Sequence, residues 1–212
     1  MAKLKVGITG GIGSGKTTVC KIFETLGIPI YYADDRAKAL MIEDEELILG
    51  VKNLFGNEAY YPDGALNRKY ISDIAFHNPL ILNQLNALVH PAVLKDGNRW
   101  HNEQLTAPYT LKEAALLYES DSYKYLDKII TVFAPKEMRL ERAVKRSALS
   151  PAHMGTVMTK ENIEARMAKQ LSEEEKMKRA DFIIFNDGQQ ALIPQVLKIH
   201  HRLCEKSKEI IS

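Results

Sequence analysis

Four glycines in six positions, Gly10, Gly11, Gly13 and Gly15 of "GITGGIGSGKTTVC", separate two segments of different hydrophobic period. Before them Leu4, Val6 and Ile8 alternate as in a short strand; after them Val19, Ile22, Phe23 and Leu26 recur at helical spacing until Gly27. Ile28 to Tyr32 reads as a second strand, so the chain opens as a β-loop-α-β unit with a parallel, right-handed crossover. Glycine costs roughly 0.5–1 kcal/mol relative to alanine in regular structure, so such a cluster needs a reason other than packing. The spacing Gly10-x-x-x-x-Gly15-Lys16-Thr17 supplies one: backbone N–H groups and a helix N-terminus wrap an anion that side chains would block. In that pattern Lys16 reaches the β- and γ-phosphates of a nucleotide and the Thr17 hydroxyl coordinates Mg²⁺. A plain glycine hinge is the bland alternative, disfavoured by the strand-loop-helix order.

The rest of the composition sets limits on partners. The 212 residues are 45% hydrophobic, enough for one core with insertions. With 29 basic and 27 acidic side chains the net charge is only +2, which argues against a general binder of nucleic acid or membrane surfaces. No run approaches a membrane span or a secretion signal. Cys20 and Cys204 lack metal-ligand spacing and read as free thiols in a reducing, cytoplasmic setting.

From Asp35 to about Trp100 the signal is helical: Ala37–Met41, Glu45–Phe55, and a long run from "NPLILNQLNALVHP", with Asn78 as N-cap and Pro79 at the first helical position. Pro91 is expected to kink or divide that run, and "YPDGALNR" is turn chemistry. The sheet resumes at about Tyr109–Tyr118 and Lys128–Phe133. "APKEMRLERAVKR" follows as a helix with Met138, Leu140 and Ala143 inward, and "SALSPAHMGTVM" is a polar break. A helix over Thr159–Leu171, a capping box at Ser172–Glu175, a strand Phe182–Phe185, the turn "NDG" and a last helix complete the order.

A phosphate loop alone leaves kinases, GTPase-like switches and motor ATPases open. No Asn-Lys-x-Asp guanine signature occurs, and "LKEAALLYE", the nearest candidate for an acid-ended strand, closes on Glu119. Asp34 follows the second strand, where the carboxyl ends of strands line a ligand crevice, and could orient and deprotonate an attacking hydroxyl. Asp34 or Asp35 could equally cap the helix beginning near Arg36. Arg139, Arg142 and Arg146 lie on one predicted helix, with 142 and 146 on one face, and Arg166 lies on the next. They suit a lid closing on transferring phosphate; a solvated face paired with Glu137, Glu141 and Glu164 is the alternative.

Taken together, "TGGIGSGKTT", "YADDRAKAL", "PDGALNRKYISDIAFHNP", "LVHP", "ALLYE", "ERAVKR" and "RMAKQLSEEEKMKRADFIIFNDG" resemble the dephospho-CoA kinase family over nearly the whole chain. The resemblance implies an α/β fold of the phosphate-loop NTPase type, three layers about a parallel sheet, and an ATP- and Mg²⁺-dependent kinase acting on the ribose 3′-hydroxyl of dephospho-CoA. The alternatives are a nucleoside monophosphate kinase and a non-catalytic nucleotide switch. It implies core segments 1–33, 106–140 and 171–212, a helical acceptor-binding insertion 34–105 and a lid 141–170. It makes Asp34 the base, with Lys16, Arg142 and Arg146 acting on the transferring group. Gly11, Ile12, Gly13, Ser14, Gly15, Lys16, Thr17 and Thr18 would hold the nucleotide, with Asn186 and Gly188 near its base. Thr9, Asp34, Arg68, His90, Glu119 and Arg166 would face the acceptor, and Thr17 the metal. Two positions depart from the family pattern: Tyr32 stands where the first motif Asp belongs, and Ala115 where Pro is frequent. Lys112 and Glu113 bring charges into the same strand that need partners, and Glu113 or Glu119 is a candidate to replace the missing carboxylate.

Overall fold

Nearly every residue of the first strand, β1 (Leu4–Thr9), is buried, including the consecutive run Val6 to Thr9. Successive side chains point to opposite faces, so both faces of the sheet are covered here, as in a layered α/β fold. The computed structural model describes residues 3–149 and 159–209. These form two compact units, one of the described residues within Met1–Tyr31 and Gln104–Ser212, the other Tyr32–Glu103.

In the first unit, β1 is followed by α1 (Lys16–Thr25) and β2 (Ile30–Tyr32), which begins two residues later than the apolar pattern suggests. Then come β3 (Tyr109–Glu113), β4 (Lys128–Phe133) and β5 (Phe182–Phe185). The sheet order is β2-β3-β1-β4-β5, with parallel pairing of β1 to β3, β1 to β4 and β4 to β5. The register sets Ile8 beside both Glu113 and Ile130, so the carboxyl ends of three strands meet where the glycine loop begins.

The expected strand Tyr109–Tyr118 stops at Glu113, and residues 115–121 turn instead. Leu117 and Tyr118 are buried, whereas Leu116 is 47% exposed; their apolar pattern belongs to a packed turn rather than to alternation on a sheet. Glu119 is therefore not a strand end. Lys112 stays in the strand beneath the Tyr31 ring, 6.0 Å from its centroid, and burial lowers its pKa.

The remaining helices of this unit are α6 (Lys136–Leu149), α7 (Lys160–Ala168), α8 (Glu173–Arg179) and α9 (Leu192–Glu209), numbered to leave α2 to α5 for the second unit. Thr159 caps α7, which ends three residues short of the expected Leu171, and the Ser172 hydroxyl caps α8 through the Glu175 N–H. Helix α9 packs on β3, β5 and α1, and α8 on β4. Most of the predicted polar break, residues 150–158, lies outside the described residues.

The second unit is helical: α2 (Ala33–Glu43), α3 (Glu45–Phe55), α4 (Arg68–His77) and α5 (Pro79–Glu103). Helix α5 touches the other three, and Leu47, Val51 and Phe55 of α3 form a stripe of buried side chains four apart. The Asn78 carboxamide caps α5 by accepting from the Leu80 and Ile81 N–H groups. Contrary to expectation α5 is not divided at Pro91: the proline is exposed, one lost backbone bond is its local cost, and Val93 and Asp96 are buried just beyond it.

Asp96 is 6% exposed and is gripped by two arginines. Arg36 of α2 donates from Nε (3.0 Å) and Nη2 (3.3 Å), and Arg99 from Nη2 (2.6 Å). The hydrogen bond to Asp96 raises the Arg36 pKa above its ordinary value. Asp96→Ala would leave both guanidinium groups without their shared acceptor, and its expected cost is roughly 2–3 kcal/mol, discounted because both arginines reach solvent. A fall in the urea midpoint, with the slope unchanged, is the measurement that checks it.

Candidate phosphate-loop site

The loop between β1 and α1 has glycine where its backbone is unusual or its neighbours are close. Gly13 has φ +80°, and a Cβ there would overlap the Arg139 carbonyl of α6; Gly15 has φ +93°, and a Cβ would overlap the Asn186 carboxamide. The one bulky residue in the loop, Ile12, packs against a buried cluster of Ala143 from α6 with Ile163 and Met167 from α7. Thus the apolar side chain anchors the loop while the glycines allow its approach to α6 and to the end of β5.

Polar contacts complete the clasp. The Asn186 carboxamide donates to the Ser14 carbonyl at 2.8 Å, its N–H donates to the Phe133 carbonyl at 2.8 Å, and its carbonyl accepts from Arg142 Nη1 at 3.1 Å. Gln170 accepts from the Ile12 N–H (2.9 Å) and donates to the Ala115 carbonyl (3.2 Å). Glu173 accepts from the Gly11 N–H at 3.4 Å. The Glu119 carboxylate accepts from the Leu171 N–H at 2.7 Å, so this predicted acceptor contact ties down the α7–α8 connection.

Lys16 opens α1 with its ammonium folded over the loop: it donates to the Gly10 carbonyl (2.9 Å) and lies 4.0 Å from Glu113, at the end of β3. Both side chains are about nine-tenths buried. The charged residue that the sequence pattern left needing a partner thus pairs with the loop lysine. Burial, followed by the nearby Glu113 charge, raises the pKa of Cys20 one helical turn further on. Among the described side chains, two buried polar atoms lack a hydrogen-bond partner, Thr9 Oγ1 and Ser14 Oγ, and both flank this loop. Buried hydroxyls are usually satisfied, so their concentration here marks a place built for a polar ligand. Thr17 and Thr18 are exposed on the first turn of α1.

The other expected site residues distribute as follows. Arg142 is half-buried against Asn186, whereas Arg146 on α6 and Arg166 on α7 are exposed. Gly188, with φ +81°, lies 3.8 Å, measured from an added Cβ, from the Met138 methyl. In the second unit Asp34 is exposed in the first turn of α2; the cap position is Tyr32, so neither Asp34 nor Asp35 is the N-cap, and Asp35 pairs with Lys38 at 2.7 Å. Arg68 is exposed at the start of α4 and His90 is exposed on α5. Arg139, expected with Arg142 and Arg146 on a lid face, is buried beside the loop, and Gln170 and Glu173 hold the loop with no local sequence signal of that contact.

A parallel sheet whose first strand delivers such a loop onto a lysine-headed helix defines a phosphate-loop nucleotide-binding fold of the kinase type. The dephospho-CoA kinase family model matches residues 4–191. A Bacteroides fragilis dephospho-CoA kinase is 36% identical over 203 residues, covering 96% of this chain and 94% of the relative. One from Chlorobaculum tepidum is 39% identical over 193 residues, 87% of each. The solved dephospho-CoA kinase from Campylobacter jejuni superposes with a TM-score of 0.69 at 26% identity, covering 97% of this chain and 99% of that one. The chain belongs to the dephospho-CoA kinase family.

Gly13→Ala tests the clasp. A side chain there is strained by its φ and pushes on the Arg139 backbone, so a loss of about 1–3 kcal/mol in stability is expected. Nucleotide affinity should fall at least about tenfold as the loop amides shift. Thermal unfolding and calorimetric titration read the two effects.

Proposed function

We propose that the chain is an ATP-dependent dephospho-CoA kinase, transferring the γ-phosphoryl group to the ribose 3′-hydroxyl and releasing ADP and coenzyme A. The observation that carries this reading is the clasped loop with Lys16 above it and two unpartnered hydroxyls beside it, in a chain matched by the family model over residues 4–191. In this reading residues 11–18 wrap the donor phosphates, Lys16 turns from Gly10 toward them, and Asn186 and Gly188 border the base.

The residues present fit Mg²⁺ alongside the nucleotide. Among the described residues no group of three His, Cys, Asp or Glu could cage a metal. One threonine hydroxyl with phosphate oxygens and water is, however, a donor set that this ion accepts. Thr17, exposed on α1, would supply that hydroxyl. When bound, Mg²⁺ would offset the negative charge that develops as the phosphoryl group transfers.

Asp34 orients the acceptor hydroxyl and takes its proton, Arg68 and His90 contact the acceptor, and residues 34–105 form the acceptor-binding insertion. Thr9 borders the acceptor side of the loop. Arg142, Arg146 and Arg166, within a lid of residues 141–170, offset charge on the transferring group. Glu113 supplies the core carboxylate that Tyr32 does not. The free thiols Cys20 and Cys204 suit a cytoplasmic setting.

A hydroxyl acceptor needs a carboxylate within hydrogen-bond reach, whereas a nucleoside monophosphate brings a dianion that the same carboxylate repels. ADP release should therefore respond to dephospho-CoA and scarcely to AMP, CMP, UMP or dTMP. A higher kcat/KM on any nucleoside monophosphate would overturn the reading, and nucleotide binding without acceptor-dependent turnover would favour a switch. Asp34→Asn should lower kcat by about 10²-fold or more while ATP affinity stays within about twofold. An unchanged kcat removes Asp34 from the chemistry.

A further inference from the structure

Three deeply buried charges of the first unit lie beside the phosphate loop and have no place in the reaction as described. Lys176 is 0% exposed, Glu173 7% and Arg139 8%. The Glu173 carboxylate stands 3.4 Å from Lys176 Nζ and 3.7 Å from Arg139 Nη1, and its other oxygen accepts from the Gly11 N–H. Arg139 is held in turn by Nε donating to the Ala134 carbonyl at 3.1 Å. Among the described residues Glu173 is the carboxylate that pairs with either cation, so the cluster carries two positive charges and one negative.

Such a surplus is costly to bury unless a further anion offsets it. The loop that the triad touches is built to enclose one. Charges buried in protein near a ligand are screened far less than surface charges, and their field is already in place when the ligand arrives. A neutral brace would have held the Gly11 and Ile12 amides as well, as Gln170 does for Ile12; the charges add something that hydrogen bonding alone does not.

We propose that Arg139, Glu173 and Lys176 are positioning residues whose net positive charge sets the affinity of the phosphate loop for polyphosphate, while Glu173 and Gln170 hold its outer amides in place. The proposal rests on the loop being the ATP site. Its signature is a dependence on the charge of the ligand. Removing a cation from the triad weakens a nucleotide in proportion to its phosphates, and neutralising Glu173 does the reverse. A purely structural brace weakens all nucleotides by one common factor.

The experiment is calorimetric titration of the full chain and of Lys176→Met, Arg139→Gln and Glu173→Gln with ATP, ADP and AMP at fixed ionic strength. For Lys176→Met and Arg139→Gln the expected loss is about tenfold for ATP, about threefold for ADP and under about twofold for AMP, from a unit charge roughly 10 Å away. Glu173→Gln keeps an acceptor for the Gly11 N–H and borders a cavity of ≈ 410 Å³ that can absorb small shifts; ATP should bind it about threefold or more tighter, with AMP little changed. Equal factors for the three nucleotides, unchanged affinities, or weaker ATP binding by Glu173→Gln would overturn the proposal. Where Lys176→Met does not fold, Arg139→Gln and Glu173→Gln decide it through their opposite signs. Lys16→Ala separates the two levels. If the unaltered chain does not bind ATP, or Lys16→Ala binds it equally well, the donor-site reading fails. If Lys16→Ala loses binding while the triad variants show no charge dependence, only this inference fails.

Discussion

A glycine-rich loop has few side chains with which to hold its own shape, so beyond the anchor at Ile12 most of what fixes residues 10 to 15 comes from elsewhere in the chain. Asn186 does this from the end of β5, Gln170 and Glu173 from the α7–α8 connection, and Arg139 presses its backbone against Gly13. Parallel pairing brings these segments toward the loop, because β4 runs beside β1 and β5 beside β4, and all three strands point the same way. Preorganised backbone dipoles are effective only if they are held before the ligand arrives. Much of the chain after β4 is thus scaffolding for the six residues after β1.

That scaffolding explains what the sequence made legible. The loop announced itself because its requirement is local: glycine at positive φ, a lysine and a threonine at fixed spacing. Strands β4 and β5 were equally plain, since Lys128–Phe133 and Phe182–Phe185 are short apolar runs closed by turn residues. Residues 114–118 misled because an apolar run buried in a turn looks like one buried in a sheet, and only tertiary packing separates them. Gln170 and Glu173 were invisible as loop contacts for another reason. They lie 158 and 162 residues from their partners, and nothing in their own neighbourhood records that distance.

The charged pair Lys16 and Glu113 shows how a departure from a familiar pattern is resolved. A carboxylate and an ammonium, each costly to bury alone, are placed together by strand register, since Glu113 stands opposite Ile8 and Ile8 leads into the loop. The strand that seemed too polar for its position gives each of its two charges a neighbour, Lys16 for Glu113 and the Tyr31 ring for Lys112.

The Arg36–Asp96–Arg99 cluster carries a consequence for how the helical unit can change over generations. Replacing Asp96 removes the acceptor that both arginines share, leaving Arg36 to Glu43 and Arg99 to Glu103, whereas replacing a buried ionic set by packed apolar side chains can be neutral or better. Positions 36, 96 and 99 are therefore coupled: the cost of exchanging one depends on what stands at the other two. Because Arg36 belongs to α2 and Asp96 to α5, a change in either helix bears on the other. The lineage of α5 is in this sense written partly in α2.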